Sequence, residues 1–240
     1  MSKILIAIPA GHELTYGAWE SRQSPLFDRK TSYLGQPYGE NIHMSGPNHR
    51  VAAVRETWGS KLPPGVDLRF FYGLREGVPH VTGADEVQLT CGDLYEHLPQ
   101  KTIDICFWAL CHDYDYMLKV DDDTYVWVDR VLKELDIPFD YAGYMGGAKM
   151  YASGGPGYWL SRKAMACIAA NATPHTWAED VIVGETLRRF GIHGKYLTGH
   201  QCGVADHWFD ISRVTDTMTT AHAVTPENMR KLWNRESSSR

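Results

Sequence analysis

Three consecutive aspartates, Asp121, Asp122 and Asp123, are the residues of this sequence whose type and spacing most directly suggest chemistry. Adjacent carboxylates repel one another, so a folded protein keeps them together where a cation or several donors compensate their charge. Oxygen ligands suit Mg²⁺ or Mn²⁺, and a metal held by few carboxylates commonly binds phosphates at its open positions. The alternative is a solvated surface loop. Because the cluster directly follows the largely apolar residues 116–120, it lies at the expected end of a buried strand, which favours a metal site.

Two further stretches carry candidate functional residues. Residues 153–157 (SGGPG) lack the lysine of a phosphate-binding P-loop, so Gly154 and Gly155 indicate either an ordinary turn or a close approach of backbone to a sugar. Glu179 and Asp180 begin a helical pattern, where the helix dipole favours acidic residues. The residues alone therefore leave Asp180 between a helix-capping role and that of a general base.

Composition excludes several classes of function for this chain of 240 residues. A net charge of -5 argues against general affinity for nucleic acid or anionic membranes. No run approaches the roughly 20 apolar residues of a membrane helix, so no integral membrane segment is expected. The five cysteines lack CxxC spacing, which predicts free thiols and a cytoplasmic location.

The elements that must position these residues alternate between strands and helices. Strands are predicted at residues 3–9, 67–72, 86–90, 116–120 and 141–144, and helices at 50–58, 98–111, 128–135 and from about 161, 179 and 226. This alternation predicts an α/β fold with a mostly parallel central sheet flanked by helices. Such sheets bind ligands beyond the carboxyl ends of their strands, which is where the aspartates lie. Residues 11–47 are rich in aromatics but have no sustained period, which predicts a long functional loop.

Six motifs occur in order over residues 50–232. The motifs are RVAAVRETW (50–58), similar to RRxAIRxTW; Asp93, Tyr95, Leu98, Lys101 and Thr102, with the spacing DxYxxLxxKT; KVDDDTYV (119–126), similar to KxDDDx(F/Y)V; SGGPGYWLS (153–161), similar to SGGxGYxLS; EDVIVG (179–184), similar to EDVxxG; and His222, Pro226, Glu227 and Met229, with the spacing HxxxPExM. Together they resemble glycosyltransferase family 31, which includes β1,3-galactosyltransferases, core 1 synthase and fringe. Their shared order makes the resemblance specific.

The resemblance implies a GT-A fold, a divalent metal, a UDP-sugar donor and inversion at the anomeric carbon. The metal is expected to be Mn²⁺, with Mg²⁺ as the alternative, and Asp123 is its main ligand with Asp121 and His222. Asp121 and Asp122 are expected to bind the donor. Arg55 is predicted to contact the donor as well, with an ordinary surface ion pair as its alternative.

The resemblance also identifies Asp180 with the family's catalytic base. Glu179 is then expected to cap the helix or orient the acceptor, and Gly154 and Gly155 to contact a substrate sugar. Trp159, Trp177 and Trp208 are candidates for stacking on sugars, although tryptophans are more commonly found in a core.

These expectations combine into one predicted protein. It is a single GT-A domain over residues 1–240, with a loop insertion at 11–47 that forms a lid or acceptor platform. It transfers a hexose, either galactose or an N-acetylhexosamine, from a UDP-sugar to a glycan hydroxyl, in a β1,3 linkage. A trimmed lumenal domain of a Golgi-type enzyme is the alternative to a cytoplasmic protein. A transferase of another GT-A family and a non-catalytic carbohydrate- or metal-binding module on the same fold are the rival functions.

Overall fold

The computed structural model describes residues 2–11, 49–145, 151–201 and 209–238. Within these ranges the strands are β1 (Ile4–Pro9), β2 (Val66–Leu74), β3 (Glu86–Gly92), β4 (Tyr116–Lys119), β5 (Tyr125–Val126), β6 (Tyr141–Gly143), β7 (Tyr158–Ser161), β8 (Gly194–Tyr196), β9 (His200–Gln201) and β10 (Thr220–Ala221). The α-helices are α1 (His49–Glu56), α2 (Leu98–Cys111), α3 (Val128–Val131), α4 (Arg162–Asn171), α5 (Glu179–Arg189) and α6 (Pro226–Ser238). Short 3₁₀ turns lie at Trp58–Ser60, Tyr95–His97, Leu132–Asp136 and Ile211–Arg213.

A seven-stranded sheet in the order β3-β2-β1-β4-β7-β6-β8 forms the centre of the fold. Every neighbouring pair is parallel except the two that involve β7, which runs antiparallel to both β4 and β6. Side chains of the apolar strand β1 alternate between two hydrophobic cores. Ile4 and Ile6 face the core shared with α1 and α6, and Leu5 and Ala7 face the core shared with α2, α4 and α5. Helices therefore cover both faces of the sheet.

A second sheet of three short strands, in the order β5-β10-β9, brings the C-terminal part of the chain to the aspartates. β10 pairs antiparallel with β5, with Ala221 opposite Tyr125. The Val224 amide donates to the Asp123 carbonyl over 2.8 Å and extends the connection. Because His222 directly follows β10, this pairing delivers its side chain to the aspartate turn.

Most predicted elements are confirmed, including the α/β class and the mostly parallel sheet. The helix predicted at 128–135 differs, because only its first turn is α-helical and the chain continues as a 3₁₀ turn to Asp136. The sequence reading missed β7 and the short strands β5 and β8 to β10. These strands span two to four residues, too few to show a period of their own.

Several predictions concern residues outside the described ranges: nearly all of the 11–47 insertion and the candidate sugar-stacking Trp208. Among the described residues, Cys91, Cys106, Cys111 and Cys167 are free thiols, as predicted. None of the described helices combines the length and apolar character needed to cross a membrane.

Candidate active site

The three aspartates form the turn between β4 and β5, at the carboxyl end of β4. The Thr124 amide donates to the Asp121 carbonyl over 3.1 Å, which closes the turn. The Thr124 hydroxyl donates to the carbonyl of Gly155 over 2.7 Å. The aspartate turn is therefore held against the glycine turn, the name used below for residues 153–157.

Asp121, Asp123 and His222 converge on one point. A potential ligand atom from each lies within 4.8 Å of the other two. The imidazole Nε2 of His222 is 3.2 Å from Asp123 Oδ1 and 3.8 Å from Asp121 Oδ2. These are the three residues predicted as metal ligands, and the structure brings them together from positions about a hundred residues apart.

The donor set fits a divalent cation. Asp123 Oδ1 is buried and lies 3.2 Å from Nε2 of His222, so these two potential ligand atoms are close together. Two carboxylates and one imidazole form a mixed oxygen and nitrogen set of the kind that Mn²⁺ accepts. Asp121, Asp123 and His222 are therefore the side chains that would hold such an ion.

Electrostatics at the two aspartates differ. Burial opposes the ionisation of Asp123, but the charges of His222 and Arg50 outweigh it and lower the pKa of Asp123 to about 2. For Asp121 the balance is reversed, because burial raises its pKa in spite of the nearby positive charges of Lys119 and His222. Asp123 is thus the more acidic of the two carboxylates.

Lys119, which sequence reasoning did not single out, connects the aspartates with the start of α5. Its side chain is only 1% exposed, and Nζ donates to Asp121 Oδ1 (2.6 Å), Glu179 Oε1 (2.8 Å) and the Gly154 carbonyl (3.2 Å). Burial disfavours its charge, but Asp121 and Glu179 more than offset this and raise the pKa of Lys119. The sequence feature that could have identified Lys119 is its position as a lone cation inside the otherwise apolar run at 116–120.

Asp180 lies on the other side of the glycine turn. The Gly154 amide donates to Asp180 Oδ2 over 3.1 Å, and the Val181 amide donates to Oδ1 over 2.8 Å. Burial and then the charge of Glu179 raise the pKa of Asp180, against the opposing effect of these amides and Lys119. A carboxylate with a raised pKa and a position in the first turn of α5 is suited to accept a proton.

Both predicted substrate-contacting glycines lie at positions where a side chain would collide with the site. A Cβ on Gly155 would lie 2.5 Å from the His222 ring, and one on Gly154 would collide with the Glu179 carboxylate. Gly157, at the end of the turn, adopts a positive φ of 93°. The glycines therefore let the backbone pass between the metal ligands and the base.

Arg50 rather than Arg55 lies at the aspartate cluster. Arg50 Nη1 is 3.1 Å from Asp122 Oδ1 and 3.6 Å from Asp123 Oδ2. The Arg55 guanidinium is ion-paired at 2.7 Å with both Asp85 and Glu86, the alternative that the sequence left open. A donor contact by Arg55 stays a prediction, and Arg50 is a second cation that sequence reasoning missed.

The two described tryptophan candidates have different surroundings. Trp159 is fully buried and donates its indole N–H to Glu134 over 2.8 Å, so it belongs to the core. Trp177 is half-buried and lies just ahead of α5, beside Tyr95.

Comparison with known proteins identifies relatives of this chain. Residues 49–150 match the family model described as galactosyltransferase. Beta-1,3-galactosyltransferase 1 from Mus musculus, Homo sapiens and Pan troglodytes is similar to this chain, with 26% identity over 232 residues, covering 78% of this chain and 69% of each relative. The resemblance predicted from the six motifs is confirmed, and the mostly parallel sheet flanked by helices is consistent with the GT-A fold of that family.

Proposed function

We propose, from the match of residues 49–150 to the galactosyltransferase family model, that the chain is a metal-dependent, inverting hexosyltransferase. In this proposal it moves galactose or an N-acetylhexosamine from a UDP-sugar to a glycan hydroxyl, with a β1,3 linkage as the expected product. The observation that supports this proposal most directly is the convergence of Asp121, Asp123 and His222 within 4.8 Å, across the glycine turn from Asp180.

Asp123, Asp121 and His222 are the residues that would hold the metal, which we propose is Mn²⁺. The closeness of Asp123 Oδ1 to His222 Nε2 and the mixed donor set support this assignment. Once bound, the ion would stabilise the negative charge of the departing diphosphate. Arg50, which is ion-paired with Asp122, adds a positive charge next to the aspartates.

Asp180 is the general base in this proposal. The amides of Gly154 and Val181 fix the orientation of its carboxylate, which then takes the proton of the acceptor hydroxyl as that oxygen attacks the anomeric carbon. Lys119 holds the neighbouring Glu179 by an ion pair, which separates the roles of the two adjacent acids. Attack from the face opposite the departing UDP inverts the anomeric configuration.

The first test is a thermal-shift screen of the protein against UDP-galactose, UDP-N-acetylglucosamine and UDP-N-acetylgalactosamine, with and without MnCl₂. We expect stabilisation by at least one UDP-sugar that requires the metal. Transfer to a panel of 4-nitrophenyl glycosides then measures activity, and NMR of the product reads the anomeric configuration. A retained configuration would favour a transferase of another GT-A family.

Asp180→Asn tests the base directly. We expect this variant to bind UDP and Mn²⁺ as the wild type does and to lose transfer by about 10²–10⁴-fold, because general-base catalysis contributes that much. Near-normal turnover would reject the role of Asp180. Binding of UDP and Mn²⁺ by a wild-type protein without transfer or hydrolysis would favour the non-catalytic module.

The compartment and the domain organisation belong to the proposal as well. The cytoplasmic prediction gains no support from the mammalian relatives, whereas the alternative of a lumenal domain fits them. We propose residues 1–240 as one GT-A domain.

A further inference from the structure

Tyr95 and Trp177 form an aromatic pair beside the candidate base. Tyr95 lies in the 3₁₀ turn between β3 and α2, and Trp177 lies three residues before Asp180. Their ring centroids are 5.6 Å apart and their planes are inclined by 37°. Tyr95 keeps 40% of its surface exposed, and Trp177 is half-buried. Large aromatic surface is therefore accessible from solvent at the edge of the site.

The charges of the carboxylates that the proposed mechanism uses act on Tyr95. Burial of the hydroxyl raises the pKa of Tyr95, and the negative charges of Asp121, Glu179 and Asp180 raise it further. Trp177 precedes Asp180 by three residues, so the aromatic pair lies next to the start of α5, which carries the proposed base.

We propose that Tyr95 and Trp177 form an acceptor subsite that stacks on the apolar face of a pyranose ring. The inference rests on the proposed function, because it places the acceptor hydroxyl near Asp180. Ligand sites for sugars combine aromatic surface with a few directed polar groups, and this pair beside three carboxylates supplies both. The proposal thus commits to a sugar residue as acceptor, in contrast to a peptide side chain or a lipid hydroxyl.

Steady-state kinetics of Trp177→Ala and Trp177→Phe test the subsite, with 4-nitrophenyl β-galactoside and 4-nitrophenyl β-N-acetylglucosaminide as acceptors. Trp177→Ala should raise the acceptor KM at least about tenfold, and Trp177→Phe should raise it less, because truncating a central aromatic contact commonly costs that much. The KM for the UDP-sugar and the Kd for UDP with MnCl₂ should keep their wild-type values. Phe190→Ala is the matched control, since Phe190 is 50% exposed at the opposite end of α5.

Binding measured without turnover separates this inference from the proposed function. Saturation-transfer NMR of the same glycosides on Asp180→Asn, with UDP and MnCl₂ present, should show the strongest saturation on the axial protons of the apolar sugar face. The double variant Asp180→Asn, Trp177→Ala is expected to lose that signal. An unchanged acceptor KM, an equal loss of UDP affinity, or transfer to serine peptides in place of glycosides would overturn the subsite. A wild-type protein that binds glycosides but transfers nothing would instead overturn the proposed function.

Discussion

Replacing Lys119 by methionine should destabilise this protein far more than replacing a surface lysine in an ion pair of the same length. Met is nearly as long as Lys but has no charge, so the substitution removes the donor and retains most of the packing. Lys119 Nζ is 2.8 Å from Glu179, and that glutamate is only 6% exposed. Without Lys119, Glu179 becomes a buried carboxylate with no cation.

The size of the expected destabilisation follows from the burial of Glu179. Removing one partner of a buried ion pair costs about 3–5 kcal/mol, because the other charge is left uncompensated. The lower end, about 3 kcal/mol, applies here because Asp121, the second partner of Lys119, has a side chain 33% exposed and can be solvated. For a chain of this size 1 kcal/mol corresponds to roughly 2–4 °C, so the Tm should fall by about 6–12 °C.

The matched control is Lys163→Met. Lys163 Nζ is 2.7 Å from Asp140, but its side chain is 70% exposed. Such surface pairs contribute about 0–1 kcal/mol, so this Tm should fall by at most about 4 °C. Both variants are melted by scanning calorimetry in EDTA, which removes any contribution from a bound metal.

A double variant isolates the cause. Adding Glu179→Gln to Lys119→Met removes the buried, uncompensated charge, and much of the lost stability should return. Equal melting temperatures for Lys119→Met and Lys163→Met would refute the reasoning. A double variant less stable than Lys119→Met would show that the loss arises elsewhere.

Two further predictions concern the proposed base, Asp180, and the metal ligands. Burial and the Glu179 charge raise the pKa of Asp180, and its protonated form cannot accept a proton, so transfer should fall as the pH drops below that raised pKa. Glu179→Gln should move this acidic limb of the kcat/KM profile to lower pH. An acidic limb that does not move would contradict the assignment of Asp180 as the base. Gly155→Ala, whose Cβ would lie 2.5 Å from the His222 ring, should displace that ligand and weaken Mn²⁺ binding at least about tenfold by calorimetry. Gly191→Ala, strained by its φ of 73° but facing open space, should lower stability and leave the Mn²⁺ affinity unchanged, and equal weakening in both variants would contradict the role of the glycine.

Sequence alone could predict the elements whose residues follow a clear local pattern. β1 is continuously apolar, α4 is preceded by its N-cap Ser161, whose hydroxyl accepts from the Ala164 amide, and α6 begins with Pro226. The short strand β10 was not predictable, because its two residues owe their strand conformation to pairing with β5 and β9. His222 could be identified only through the motif resemblance, since the pairing that delivers it is non-local.

The sequence also could not predict which arginine lies at the site. Arg50 and Arg55 lie on one helix, and nothing in their spacing indicates which of them faces the aspartates. Asp85 and Glu86 distinguish the two arginines, because both acids are ion-paired with Arg55. Arg50 is then the arginine within reach of Asp122. The choice depends on an acidic pair about 30 residues away in sequence, which helical periodicity cannot report.

The glycine turn connects the two halves of the proposed chemistry. Its Gly155 carbonyl accepts from Thr124 in the aspartate turn, and its Gly154 amide donates to Asp180. Lys119 donates to the Gly154 carbonyl and pairs with Glu179. A shift of this backbone would therefore move the proposed base relative to the metal ligands. Three aspartates by themselves would be compatible with a solvated loop, and it is this shared backbone, reaching from the aspartate turn to α5, that makes them one half of a site.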